Sequence, residues 1–272
     1  MSGEKVVGAI VLAAGLGERI QELSCHKPEV SLYEGGPSLL MRLSTQIREK
    51  AKMPLLLVAV NSRFGCSAAK RESYEGAKVM VVDTPSSLHT FYHAIEEFSK
   101  EKRTGHVFVS MVDTVVSDED FHSFVEFCEK ELAPEESAIL TTHFIEDEKP
   151  LTVLLASDSQ KVLSFAVPVE SVPEVVVTAG MYVFPLALLP FLREAVDSGV
   201  EKMRNFLALM VKSNYSILAF TIEKSIDVDR PQDVQSARDF LLKEQEQERD
   251  VKLCCKDTVK TASSIVSLEK SI

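Results

Sequence analysis

Through the first half of the chain, short apolar and β-branched runs alternate with segments whose apolar positions recur at helical spacing. That rhythm predicts a parallel sheet covered by helices on both faces, an α/β fold of three α/β/α layers with a mixed, mainly parallel sheet. The strands are expected at Val6 to Ala13, Pro54 to Val60, Ala77 to Val82 and His106 to Val112. Helices are expected at Ser38 to Ala51, Ser62 to Glu72, Leu88 to Lys100 and Asp118 to Leu132. In the segment from Leu88, the residues Leu88, Phe91, Tyr92, Ile95 and Phe98 share one helical face, while Glu96, Glu97 and Lys100 stay in water. That stripe reads as core packing.

After Pro134 the pattern shifts to strands at Ser137 to Phe144, Leu151 to Ala156, Lys161 to Phe165 and Val175 to Phe184, partly antiparallel. Two helices, Leu186 to Asp197 and Val200 to Lys212, then precede a strand at Ser216 to Ile222. A last helix starts near Pro231, where proline suits a first helical turn. The organisation expected is one domain over residues 1–250, carrying a β-rich insertion at about 135–185, followed by a tail at 251–272 with no clear period.

Composition narrows the function classes. The chain has 272 residues, 45% hydrophobic and 26% charged, which is ordinary for a globular protein and excludes disordered and collagen-like classes. Thirty Lys and Arg against 41 Asp and Glu give a formal charge of -11, which disfavours nucleic acid as a partner. The cysteines, at 25, 66, 128, 254 and 255, have neither zinc spacing nor an even count, and they fit a reducing cytoplasm. Apolar stretches such as Val6 to Gly15 fall short of the ~20 residues of a membrane span, so no membrane partner is expected. The start of the chain lacks the cleavage-site pattern of a secretory leader.

The candidate chemistry begins where the first strand runs into Leu12-Ala13-Ala14-Gly15-Leu16-Gly17-Glu18-Arg19. Glycines at the carboxyl end of a strand let backbone N–H groups approach a phosphate chain, and Arg19 adds positive charge. A dinucleotide fold would need a third glycine at Ile20 with a helix starting at once, and a P-loop would need Gly-Lys-Ser/Thr. A tight turn with no ligand is the remaining alternative.

This loop, followed by Pro28, resembles the L-A-A-G-x-G-x-R…P-K signature of the sugar-phosphate nucleotidyltransferases. Three later features are similar in order and spacing. Ser110-Met111-Val112-Asp113 ends the fourth expected strand, where the family carries a magnesium-binding Asp. Thr178-Ala179-Gly180-Met181-Tyr182-Val183-Phe184 is similar to the N-A-G-x-Y-x-F strand beside the sugar. Ser225 to Val234 is similar to the W-x-D-x-D-T-P-E-D-L element, whose first Asp is the second metal ligand.

The resemblance, over about residues 6 to 240, implies a Rossmann-like fold and a Mg²⁺-dependent transfer of a nucleotide to a phosphorylated sugar, polyol or aminoalcohol, with pyrophosphate released. It implies metal on Asp113 and Asp227, with Asp229 the weaker candidate, and catalytic roles for Arg19, Asp113 and Asp227. The expected nucleotide contacts are Leu12, Ala13, Ala14, Gly15, Gly17, Arg19, Ser87, Leu88 and Asp113, and the acceptor contacts are Thr178 and Gly180. Hard carboxylate oxygens suit Mg²⁺, and nucleotidyl transfer must hold two polyanions together while offsetting charge on the departing pyrophosphate. Each Asp taken alone also reads as a turn or cap, and the serines of Ser86-Ser87 also read as N-caps. A homo-oligomer is compatible with the apolar insertion and the tail.

The departures are specific. Pro28-Glu29 stands where the family has P-K, and Lys27 substitutes only if the loop is re-registered. Ala166-Val167-Pro168 stands where a second lysine is usual, and Glu18 replaces a usual Thr or Ser. Fewer cations and more carboxylates weaken polyanion binding. Two other readings therefore stand beside the transferase: a binding or regulatory protein on the same scaffold, and a glycosyltransferase using Asp227-Val228-Asp229.

Overall fold

Strand β1 (Val6–Ala13) is covered on both faces, which is why its eight residues read as one apolar run. The computed structural model describes residues 5–23, 26–64, 76–145, 150–168, 175–244 and 246. Around β1 lie β2 (Leu56–Val60), β3 (Lys78–Val81) and β4 (His106–Met111), all parallel to it. The sheet continues through β9 (Val176–Pro185), β6 (Ser137–Thr142) and β10 (Ile217–Ile222), in the order β10-β6-β9-β4-β1-β2-β3. Only β9 runs against its neighbours on this path. Strands β7 (Thr152–Leu155) and β8 (Val162–Phe165) pair with each other, and β7 pairs with the start of β9. Of the β-rich segment at 135–185, then, β6 and β9 are strands of the central sheet, and β7 and β8 stand off its end.

Helices pack on both sides. Helices α2 (Ser87–Phe98), α4 (Leu189–Asp197) and α5 (Met203–Lys212) cover one face, where Phe91, Ile95 and Phe98 meet Ile10, Val107 and Phe184. On the other, α1 (Leu39–Thr45) and α3 (Asp118–Glu131) set Leu43, Phe121 and Phe124 against Val11, Val58 and Phe108. Side chains of a strand alternate between these two cores. The expected helix at Ser38 to Ala51 is α1 followed by a π turn, Gln46–Lys50. That expected at Ser62 to Glu72 begins as a 3-10 turn, Ser62–Phe64, and its residues 65–72 lie outside the described ones. The tail at 251–272 and Cys25, Cys66, Cys254 and Cys255 lie outside them too.

A third, smaller core decides where the site forms. Ile20, Val30 and Leu32, from the loop after β1, pack with Val115, Ile226 and Val228, and with Ala237 and Phe240 of the helix at 231–244 (α6). Burying these side chains at about 1.5–3 kcal/mol each pins the loop to the chain's C-terminal part. It also supports a two-stranded antiparallel ribbon of β5 (Thr114–Val115) and β11 (Ile226–Asp227).

Candidate active site

The ribbon brings together carboxylates far apart in sequence. Asp227 lies opposite Thr114 in register, and the Val228 N–H donates to the Asp113 carbonyl at 3.0 Å. Thr114 Oγ1 donates to Asp227 Oδ1 at 3.0 Å, which fixes that side chain beside Asp113 on the cleft wall. Gly180 makes room for this contact: its φ is +67°, and a Cβ there would stand 2.2 Å from Thr114 Oγ1. In the next turn Asp233 Oδ2 accepts from the Asp229 and Arg230 N–H groups at 2.9 and 2.6 Å. Asp233 thus caps the start of α6 from its first turn, a physical reason for the Asp-Arg-Pro-Gln-Asp spacing.

The cleft lies outside the carboxyl ends of β1 and β4, where ligands enter open α/β sheets. It has two lobes. The larger, about 830 Å³, is lined by Leu12, Ala14 and Gly15 to Arg19 on one side and by Asp83 to Ser87 on the other. The smaller, about 440 Å³, is lined by Thr178, Gly180, Tyr182, Phe144, Lys202 and Arg204, with Asp227 at its acidic wall. Arg19, Ser87, Met111, Asp113 and Asp229 belong to both, so Asp113 stands at the junction. Such volumes suit small-molecule ligands.

At that junction sits Lys27. Its Nζ donates to Asp113 Oδ2 at 2.7 Å and also to Asp229 Oδ1, while Arg19 Nη1 donates to Asp229 Oδ2 at 2.8 Å. The Lys27 side chain is only 10% exposed, against 62% for that of Arg19. Burial alone would lower the Lys27 pKa, but Asp113 and Asp229 outweigh it and hold the group above its ordinary value as an ammonium. Asp229 is held below its ordinary value in spite of burial, because Lys27 and Arg19 favour its charged form. Gly17 permits the arrangement: its φ is +58°, and a Cβ would meet Lys27 Cβ at 3.0 Å. Facing this cluster is the Tyr182 phenol, 6% exposed; burial raises its pKa, with Asp227 and Asp113 adding, so it remains a neutral donor.

The family model described as nucleotidyl transferase matches residues 8–244. The chain belongs to the nucleotidyl transferase family. Compared by sequence alone, no curated protein is similar to it at a significant level. Among solved structures, it is similar to an inositol-1-phosphate CTP transferase from T. maritima at 14% identity, over 86% of this chain and 96% of that one, with a TM-score of 0.65. It is similar to a CTP:phosphocholine cytidylyltransferase from Streptococcus pneumoniae at 18% identity, over 86% and 99%, with a TM-score of 0.65. A UDP-glucose pyrophosphorylase matches at 13% identity, over 88% and 100%, with a TM-score of 0.67. At these identities the likeness is one of fold.

Within this nucleotidyl transferase fold, Leu12, Ala14, Gly15, Gly17, Arg19, Ser87 and Asp113 line the larger lobe, and Thr178, Gly180 and Asp227 the smaller. Two of the expected nucleotide contacts, Ala13 and Leu88, turn their side chains away from the cleft and could meet a ligand only through the backbone. Ala13, 1% exposed, points with Ala9 and Val11 into the core on the α1 and α3 face, because strand alternation sends it away from Leu12. Leu88, 0% exposed, is turned by the helical period onto the sheet under α2. Lys27, rather than a lysine after Pro28, enters the site, and its place before a proline in the 3-10 turn Lys27–Glu29 was the available signal. Asp229, Thr114 and Tyr182 join the site as residues that the sequence reading left weak or unassigned.

Proposed function

We propose that the protein transfers a nucleotide, with Mg²⁺, from a nucleoside triphosphate to a phosphorylated sugar, polyol or aminoalcohol. The triphosphate would lie in the larger lobe and the acceptor in the smaller. A phosphate oxygen of the acceptor would attack the α-phosphorus while its bond to the oxygen bridging to the β-phosphate breaks, and that oxygen would leave with the pyrophosphate. What supports this reading above all is the junction: two lobes meet at Asp113, where the α-phosphorus must face the incoming oxygen. The structural neighbours named above include enzymes named for inositol-1-phosphate and phosphocholine, two phosphorylated acceptors of the proposed class, and one named for UDP-glucose, a nucleotide sugar of the kind such a transfer would form.

The residues present fit the metal. Among the described residues no three His, Cys, Asp or Glu form a closed metal cage. Mg²⁺ is held by one or two carboxylates together with substrate phosphates, and Asp113 and Asp227 offer such an open pair of hard oxygens on one wall. Bound there, Mg²⁺ would neutralise phosphate charge. The chain's own groups would do the rest. Arg19 and Lys27 would turn to the phosphates, the Gly15 to Gly17 backbone would let them close in, and Tyr182 would donate to an acceptor oxygen. No helix among the described residues is long and apolar enough to cross a membrane.

Calorimetric titration of a panel of nucleoside triphosphates, with and without Mg²⁺, tests the reading. One triphosphate should bind in a metal-dependent way, with affinity falling by about 100-fold in Asp113→Asn and in Asp227→Asn. Pyrophosphate should then appear with one phosphorylated acceptor. Absence of binding by every triphosphate would favour a scaffold repurposed for binding, and release of a nucleoside diphosphate from a nucleotide sugar would favour a glycosyltransferase.

A further inference from the structure

Lys27 poses a problem for the metal site, because its ammonium already neutralises the carboxylate that the metal needs. We propose that Lys27 is the resident cation of the nucleotide-free cleft, occupying the place between Asp113 and Asp229, so that a divalent cation enters only together with a polyphosphate. This rests on the metal assignment made above and adds the order in which ligands are admitted.

The charges carry the argument. Asp113 and Asp229 share Lys27, and Asp229 also holds Arg19, so these two carboxylates face two cations, and of the pair assigned to the metal Asp113 is already neutralised. A free Mg²⁺ ion gives up its water reluctantly and gains little from carboxylates already neutralised. The tether makes the occupant persistent. Lys27 is held within the cluster by close packing on Gly17 and by the burial of Ile20 and Val30 on either side of it in the chain. Its ammonium is therefore present at a high effective concentration.

The same geometry supplies the release. Lys27 and Arg19 both line the larger lobe, where a polyphosphate would offer them new anionic partners. When they turn to it, Asp113 is left to a metal that arrives on the phosphates. The Lys27-Pro28 order suits this, since a lysine at the head of the 3-10 turn reaches back to the carboxylates.

The test is Mn²⁺ binding to the nucleotide-free protein, followed by electron paramagnetic resonance, for the wild type, Lys27→Met, Lys27→Arg and the double variant Lys27→Met/Asp113→Asn. The wild type and Lys27→Arg should take up little Mn²⁺ at millimolar concentration. Lys27→Met should bind it at least about tenfold more tightly, and Asp113→Asn should abolish that gain. Equal binding by the wild type and Lys27→Met, with both folded by circular dichroism, would overturn the proposal. A second readout needs no variant: the ¹⁵N-detected ammonium signal of Lys27 should be unmoved by Mg²⁺ alone and shifted by Mg²⁺ with triphosphate. A shift by Mg²⁺ alone refutes it, even if Lys27→Met does not fold. The two readings fail separately. If triphosphate does not bind the wild type with or without Mn²⁺ while Lys27→Met still gains Mn²⁺, the transferase reading and the release by polyphosphate fall, and Lys27 as the cation that keeps metal off Asp113 stands.

Discussion

Gly180→Ala tests how strand β9 shapes the acidic wall. The backbone at Gly180 has a φ of +67°, which costs an alanine about 1–2 kcal/mol. The new methyl would also lie 2.2 Å from Thr114 Oγ1, so Thr114 must rotate and give up its hydrogen bond to Asp227. A hydrogen bond to a charged partner contributes about 1.5–3 kcal/mol. Together these give a loss of about 2.5–5 kcal/mol, or about 5–10 °C in Tm for a chain of this size. A double-mutant cycle read by thermal unfolding isolates the cause. Thr114→Ala removes the obstructing oxygen and leaves Thr114 Cβ, at 3.4 Å, in ordinary contact. On that background Gly180→Ala should cost only the backbone part, about 1–2 kcal/mol. If Gly180→Ala costs the same in both backgrounds, Thr114 is not the obstacle and the reasoning is wrong. The single variant should also weaken metal-dependent triphosphate binding, because Asp227 loses its anchor.

Two further outcomes can be checked by unfolding. Glu129 accepts the Lys5 and Val6 N–H groups at 2.8 Å each, tying the head of β1 to α3, so Glu129→Ala should lower stability by about 1–3 kcal/mol without changing ligand binding. Burial pushes the His106 imidazole below its ordinary value, so the unfolded chain takes up a proton that the folded one refuses. Its contribution to stability is therefore intact above about pH 6.5 and is lost as the pH falls below that. His106→Gln should flatten that part of the stability profile, and an unchanged profile would remove His106 as its source.

The sheet was legible because buried strands leave long apolar runs, and β1 is observed over the residues expected, Val6–Ala13. Helix α2 was equally plain, since Phe91, Ile95 and Phe98 keep one face. The ribbon was not. Two residues in each strand are too few for a period, and what holds Ile226 and Val228 is a core assembled from the loop after β1 and from α6. The direction of the Leu88 side chain was hidden for a related reason: the residues at a helix start read alike in sequence, whereas the helical period turns this one inward. Lys27 had no place in the P-K order, and only the 3-10 turn and the close packing at Gly17 bring its ammonium to Asp113.

The pairing of β5 with β11 has a consequence for how the protein is made. A chain emerging from the ribosome can form β1 to β4 and their helices while Asp113 still lacks its partners, because Asp227 and Asp229 have yet to be synthesised. Every strand of the central sheet ends by Ile222, so a chain cut shortly after that residue would have its layers and no completed cleft. A complete cleft thus requires that synthesis has passed Asp229. Damage to Ala237 or Phe240, neither of which lines the cleft, would surface first as a fault in function, in molecules whose sheet still looks sound.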